Sequence, residues 1–266
     1  MFNFTLYRRE MKKSWIMLAI FGAVITMYVS IMVSMYDPEQ MKLLEEWGEA
    51  FGSMMAAVGM TAGAATYIGF IANYLYGFIL IAIPMIFSIL CGNRLLAGYV
   101  DKGSMVGLLA APVKRRTVAF TQMKVLATGL VLLTVYATVL EIAVAHMTSS
   151  GELDVAKLLL LNLGLLCLHF FIGGICFFFS ALANDTKFSI GLGAGIPALM
   201  FILKMLANTG GHAENAKYFT FFSLFSPDQI IAGETFGIAG MLILLAGAAA
   251  LFIAAIAVFE KKDLHI

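Results

Sequence analysis

Long apolar runs alternate along this chain with short islands that hold nearly all of the charge. Six runs reach the ~20 helical residues needed to cross ~30 Å of hydrocarbon. They are Trp15–Tyr36, Tyr67–Cys91, Val125–Met147, Leu158–Ala183, Phe188–Asn208 and Phe236–Phe259. The pattern predicts an all-α, polytopic membrane protein forming one transmembrane domain over residues 1–266. The first run is too long for a signal peptide and lacks a small-residue cleavage site, so it is expected to stay as a span. Ahead of it, residues 2–14 read as an amphipathic helix in the headgroup plane. Phe4, Tyr7, Met11 and Trp15 fall on one face, and Arg8, Arg9, Lys12 and Lys13 on the other.

Composition sharpens the class. With 61% hydrophobic and 12% charged residues, and a mean hydropathy of +0.93, the chain is no soluble domain. A net charge of +1 says little about partners and does not suggest nucleic acid, but the placement of Lys and Arg sets the topology. With the N-terminus inside, thirteen basic residues lie inside and only Lys42, Lys157 and Lys217 outside, Lys204 falling within a span. Both termini are then expected in the cytoplasm. The 44 uncharged residues Ala50–Asn93 are long enough for two spans, but two would place the basic island Arg94–Lys124 outside. One span is expected there, preceded by a small-residue segment (Gly52–Ala65) on the outer face. Asp37–Glu49 reads as a short outer surface helix. Gly210–Glu234, with Tyr218, Phe219, Phe221, Phe222 and Phe225, reads as an interfacial or re-entrant element too short to span.

Little here resembles an enzyme. No G-x-x-x-x-G-K-[ST] loop occurs, so ATP is not bound by that device. There is likewise no H-E-x-x-H, nucleophile elbow or paired intramembrane carboxylate, and no catalytic residue, metal site or cofactor is expected on this chain. Cys91, Cys167 and Cys176 sit in apolar runs and read as packing residues rather than a disulfide framework. Gly191-x-Gly193-x-Gly195 lacks the context of a nucleotide loop and reads as a site of close helix approach, as do Gly173-Gly174 and Gly237, Gly240 and Gly247. Pro84 and Pro197 are expected to kink their spans and free carbonyls that a neighbour must satisfy.

Within the spans, Glu141, His169 and Lys204 stand out as candidates. Glu141 lies 17 residues after Lys124 and Lys204 lies 17 after Lys187, which puts both ~25 Å from the inner face at 1.5 Å per residue. Equal depth and opposite sign leave three readings: an ion pair, snorkelling to the outer surface, or contact with cargo. His169 is more central and reads as a hydrogen-bonded core histidine.

The most informative segment is the island Arg94–Lys124, RLLAGYVDKGSMVGLLAAPVKRRTVAFTQMK, tied at both ends to spans so that a push on it moves two helices. It resembles the cytoplasmic loop of ABC-2 type permeases, the membrane subunits of one class of ATP-binding-cassette exporter. The resemblance rests on Gly98, Asp101, Lys102, Gly103, Ser104, Met105, Leu108, Leu109, Pro112, Val113, Arg115 and Lys124, with six spans and the C-terminus Phe259–Leu264 in support. Many relatives carry an acidic residue near the position of Tyr99. The resemblance implies an ATPase-coupling helix within Gly98–Pro112, a separate cytoplasmic ATPase holding ATP and Mg2+, and a second permease, either another copy or a paralogue. It also implies a multi-pass protein of the bacterial plasma membrane. Phe-, Met- and Leu-rich spans suit hydrophobic or amphipathic peptides as cargo. A sodium or small-drug exporter is the alternative. A proton-coupled secondary transporter using Glu141, His169 and Lys204 is a further one.

Overall fold

The computed structural model describes residues 2–36, 54, 56–58, 66–110, 113–148 and 153–262. In order these form α1 (Phe4–Ser34), α2 (Tyr67–Tyr74), a π-helical turn (Leu75–Ile79), α3 (Leu80–Leu95), α4 (Ala97–Asp101), α5 (Met105–Leu109) and α6 (Arg115–Thr148). Then follow α7 (Val155–Leu182), α8 (Thr186–Asn208), two 3₁₀ segments (Gly211–Phe219 and Phe221–Leu224), α9 (Pro227–Ala232) and α10 (Thr235–Lys261). Among the described residues there is no strand. Six helices are long and apolar enough to cross a membrane, the second running from Tyr67 to Leu95 through α2, the π turn and α3. All six expected runs are recovered. The third begins at Arg115 rather than Val125, because nothing in Arg115–Lys124 breaks a helix.

Helix ends follow local chemistry. Asn3, Asp154 and Asp185 each accept a backbone N–H of the first turn of α1, α7 and α8, and Gly233 closes α9 in the left-handed region at φ 71°. Helix α7 is the centre of the bundle, packed against α3, α6, α8 and α10, while α1 lies mainly along α6. Its inward residues Leu161, Leu165, Leu168, Ile172 and Phe177 are almost wholly buried. By contrast α1, α8 and α10 present apolar side chains outward, among them Trp15, Ile20, Ile202, Leu206 and Leu242, as helices facing hydrocarbon must.

The amphipathic lead-in is not a separate element. Residues 4–34 are one helix, since no proline or capping residue interrupts the passage into the span. Its buried stripe is Leu6, Glu10, Ser14 and Leu18, beside the expected apolar face rather than on it, and Phe4 and Trp15 point outward. Tyr7 reaches Thr128 of α6 at 3.0 Å, which fixes that rotation.

At the end of the bundle away from the termini, the aromatic segment splits in two. Tyr218 and Phe219 are exposed, whereas Phe222 and Phe225 are buried and plug the bundle beside Phe201. Gly240 allows this, since a Cβ there would sit 2.1 Å from the Leu224 carbonyl oxygen. Gly193 packs on the Cys176 backbone as expected, but Gly191 and Gly195 face open space within the chain. The three cysteines are free and buried. The expected surface helix at Asp37–Glu49 and nearly all of Gly52–Ala65 lie outside the described residues.

Candidate functional site

The basic island folds into a hairpin of two short helices. At Leu96 the backbone leaves the helix of the second span (φ −125°, ψ −65°), and α4 starts afresh. Gly103, at φ 66°, reverses the chain between α4 and α5, a conformation that penalises any residue with a Cβ. The hairpin is covalently joined to α3 and α6, and it is bonded to three further helices. The Ala97 amide donates to Ser180 Oγ of α7 at 2.9 Å. Thr186 Oγ1 of α8 donates to Asp101 Oδ2 at 2.5 Å. Tyr99 donates its phenol proton to Glu10 Oε1 of α1 at 2.5 Å and accepts from Lys13 Nζ at 2.7 Å. Burial, then the adjacent Glu10, holds the Tyr99 phenol above its ordinary pKa, so it remains a donor. Arg94 at the end of α3 donates to Ser14 Oγ of α1 at 2.6 Å, reinforcing the same joint.

A second joint closes the bundle nearby. Arg115 Nη1 donates to the Lys262 carbonyl at 2.6 Å, and Lys262 Nζ donates to the Ala181 carbonyl at 3.1 Å and to that of Ala183. Burial pushes the Lys262 ammonium down to about 8, with Asp185 pulling it back upward. Arg115 therefore ties the start of α6 to the end of α10.

The expected coupling residues thus divide by direction. Asp101, Lys102, Gly103 and Ser104 are exposed on the hairpin, as is their neighbour Val106, and Leu108 is half-buried. Tyr99 and Met105 face inward, Met105 with no exposure at all, and so are not surface contacts. Gly98 is half-buried in α4, Leu109 ends α5, and Pro112 lies outside the described residues.

The intramembrane candidates converge on one turn without meeting one another. A proline at position i has no N–H for the carbonyl at i−4, so Pro84 leaves the Leu80 oxygen without its helical donor. His169 of α7 takes its place, Nε2 lying 2.8 Å from that oxygen. A carbonyl only accepts, so the imidazole carries its proton on Nε2. Lys204 of α8 donates to the Gly77 carbonyl in the π turn at 3.0 Å. Glu141 of α6 is fully buried and accepts at Oε2 from Tyr76 and from Asn162, each at 3.0 Å. Glu141 and Lys204 form no ion pair, since equal depth says nothing about rotation and each helix presents its charge to a different side of residues 76 and 77. π turns recur at functional positions because they break helical register and present side chains and carbonyls out of phase.

Pro197 repeats the logic of Pro84. It frees the Gly193 carbonyl, and Cys176 of α7 donates its Sγ–H there at 3.1 Å. One central helix therefore fills both proline gaps, from positions seven apart on one face.

Several of these partners escaped the sequence reading. Glu10 stands alone among Arg8, Arg9, Lys12 and Lys13, and a single acid in a basic lead-in was the available signal. Asn162, a polar residue within a span, was another. Tyr76 and Cys176 had none, being ordinary membrane-helix residues. Glu10 of α1 thus places a carboxylate at hydrogen-bonding distance of Tyr99.

Six apolar helices with α7 at their centre, and a polar hairpin braced against five of them, define a multi-pass membrane protein of the permease class. A family model described as ABC-2 family transporter protein matches residues 5–264, and the chain belongs to that family. No curated protein matches it. The protein is thus a permease component of an ABC transporter, the transmembrane component rather than the ATPase, and the family implies association with an ABC ATPase.

Proposed function

We propose that the chain is the membrane subunit of an exporter in which a separate cytoplasmic ATPase, loaded with ATP and Mg2+, docks on the α4–α5 hairpin. The observation that carries this reading is the bracing of the hairpin. Tyr99, Ala97 and Asp101 link it to α1, α7 and α8, so a displacement reaches five helices at once. Lys102, Ser104 and Val106 present a small exposed surface with charge at its flank. The thirteen basic residues gathered at this end support a bacterial plasma-membrane topology with both termini inside. Outward-facing apolar sides of α1, α8 and α10 leave room for a second permease, either another copy or a paralogue.

For cargo we favour hydrophobic or amphipathic peptides, because the spans are apolar and rich in Phe and Met. His169, held by the Leu80 carbonyl, lends no support to a proton path. Docking is tested with Val106→Asp and Leu108→Asp together. The pair is expected to abolish co-purification of the ATPase or to uncouple ATP hydrolysis from transport, and normal assembly with normal transport would remove the assignment. Stimulation of the assembled ATPase by a panel of peptides, drugs and sodium tests the cargo.

A further inference from the structure

Lys204 opens onto a cavity of ≈ 250 Å³ at the end of the bundle away from the termini. It sits one helical turn, ~6 Å, inside the end of α8 at Asn208. The walls come from α2 and the π turn (Asn73, Gly77), from α8 (Lys204, Asn208), and from the plug and the start of α9 (Thr220, Ser226, Asp228). Only one of the three ammonium protons of Lys204 is used by the described residues, on the Gly77 carbonyl. No carboxylate among the described residues lies within ion-pair distance of it. Lys217, also in the wall, is paired at the surface with Glu214 at 2.6 Å. The side chains of Asn208 and Ser226 make no hydrogen bond among the described residues. A cation in a membrane span without a counter-charge is costly, so among the described residues the cavity offers an anion a counter-charge with donors beside it.

Size and charge narrow the ligand. Drug-sized ligands occupy roughly 300–1,000 Å³, whereas water takes ~30 Å³ a molecule. The cavity therefore holds a head group and a few waters, not a whole amphiphile. Asp228, also in the wall, is an acidic residue and disfavours a dianion. We propose that this cavity receives the carboxylate head of an amphiphile, with Lys204 as counter-charge and Asn208 and Ser226 as further donors. This rests on the export reading only in naming that amphiphile as cargo.

The test uses the full chain in nanodiscs of neutral phosphatidylcholine, with binding of dodecanoate, dodecyl phosphate and dodecanol measured by calorimetry. A charge-assisted hydrogen bond supports about a tenfold preference for dodecanoate over dodecanol. Lys204→Met is expected to erase that preference, Lys204→Arg to keep most of it, and Asp228→Asn to strengthen dodecanoate binding. Should Lys204→Met fail to fold, Asn208→Ala with Ser226→Ala is expected to weaken dodecanoate several-fold and leave dodecanol unchanged. Equal binding of dodecanoate and dodecanol, or a preference that survives Lys204→Met, overturns the proposal. Tighter, Lys204-dependent binding of dodecyl phosphate overturns the carboxylate assignment in favour of a phosphate head such as a lipid's. Co-purification of the ATPase with the wild-type chain, measured in parallel, reports on the transporter reading independently.

Discussion

The second and fifth spans carry the same covalent fault and repair it with different chemistry. Pro84 and Pro197 each deprive a carbonyl four residues earlier of its donor, and α7 answers both. At Leu80 the answer is an imidazole N–H at 2.8 Å, next to a π turn that also engages Glu141 through Tyr76 and Lys204 through Gly77. At Gly193 it is a thiol at 3.1 Å, with no ionisable group of α6 or α8 joined to it by a hydrogen bond. A thiol is a weak donor. The first repair is therefore stiff and embedded in a polar network, whereas the second is soft and stands alone. The difference teaches where the bundle is held and where it can yield: between α3 and α7 rather than between α7 and α8.

The largest expected effect breaks the stiff repair. His169→Leu keeps the volume but leaves the Leu80 carbonyl unsatisfied, and is expected to lower stability by about 1–3 kcal/mol. Adding Pro84→Ala restores the helical donor, so thermal unfolding of the double variant in detergent should recover part of the loss. A His169→Leu defect that Pro84→Ala leaves untouched would deny the shared carbonyl.

At the soft repair the same cycle is expected to be smaller. Cys176→Ala should destabilise by about 1 kcal/mol, mostly through lost packing, and Pro197→Ala should rescue little of it. Rescue as large as at the first site would erase the contrast between the two spans.

Weaker still is the direct link between Glu141 and Lys204. They touch adjacent residues of the π turn but not each other, so a cycle of Glu141→Gln and Lys204→Met should show coupling below about 0.5 kcal/mol, as for sites that share no partner. A coupling of 2 kcal/mol or so, measured by the same unfolding, would reinstate the pair.

A pH-dependent effect is expected at the joint of Arg115, Lys262 and α7. The folded pKa of Lys262, about 8, is below its ordinary 10.5, so between those values the unfolded chain binds more protons. The Lys262 contribution to stability should then rise with pH from 8 towards 10.5 and be flat below 8. Comparing melting curves of wild type and Lys262→Met over that window checks the sign, and a wild-type contribution that falls with pH would contradict the burial of the ammonium.

The sequence by itself determined the six spans, the place of the polar island and the two faults in the helices. These depend on transfer free energy summed over some twenty residues and on proline's missing N–H, both of which are local. It also located Glu141, His169 and Lys204 in depth. Only the tertiary structure decided what those residues touch, because depth along a helix is set by rise per residue while rotation and neighbours are set by packing. Hence Glu141 bonds Tyr76 and Asn162 rather than Lys204, and Glu10 turns inward to Tyr99 although its neighbours Arg8, Arg9 and Lys12 are exposed. The freed carbonyls of Leu80 and Gly193 could be named from the chain, but the helix that fills both gaps could not. Nothing local in His169 or Cys176 announces a partner in another span, and only the assembled bundle brings them to 2.8 and 3.1 Å.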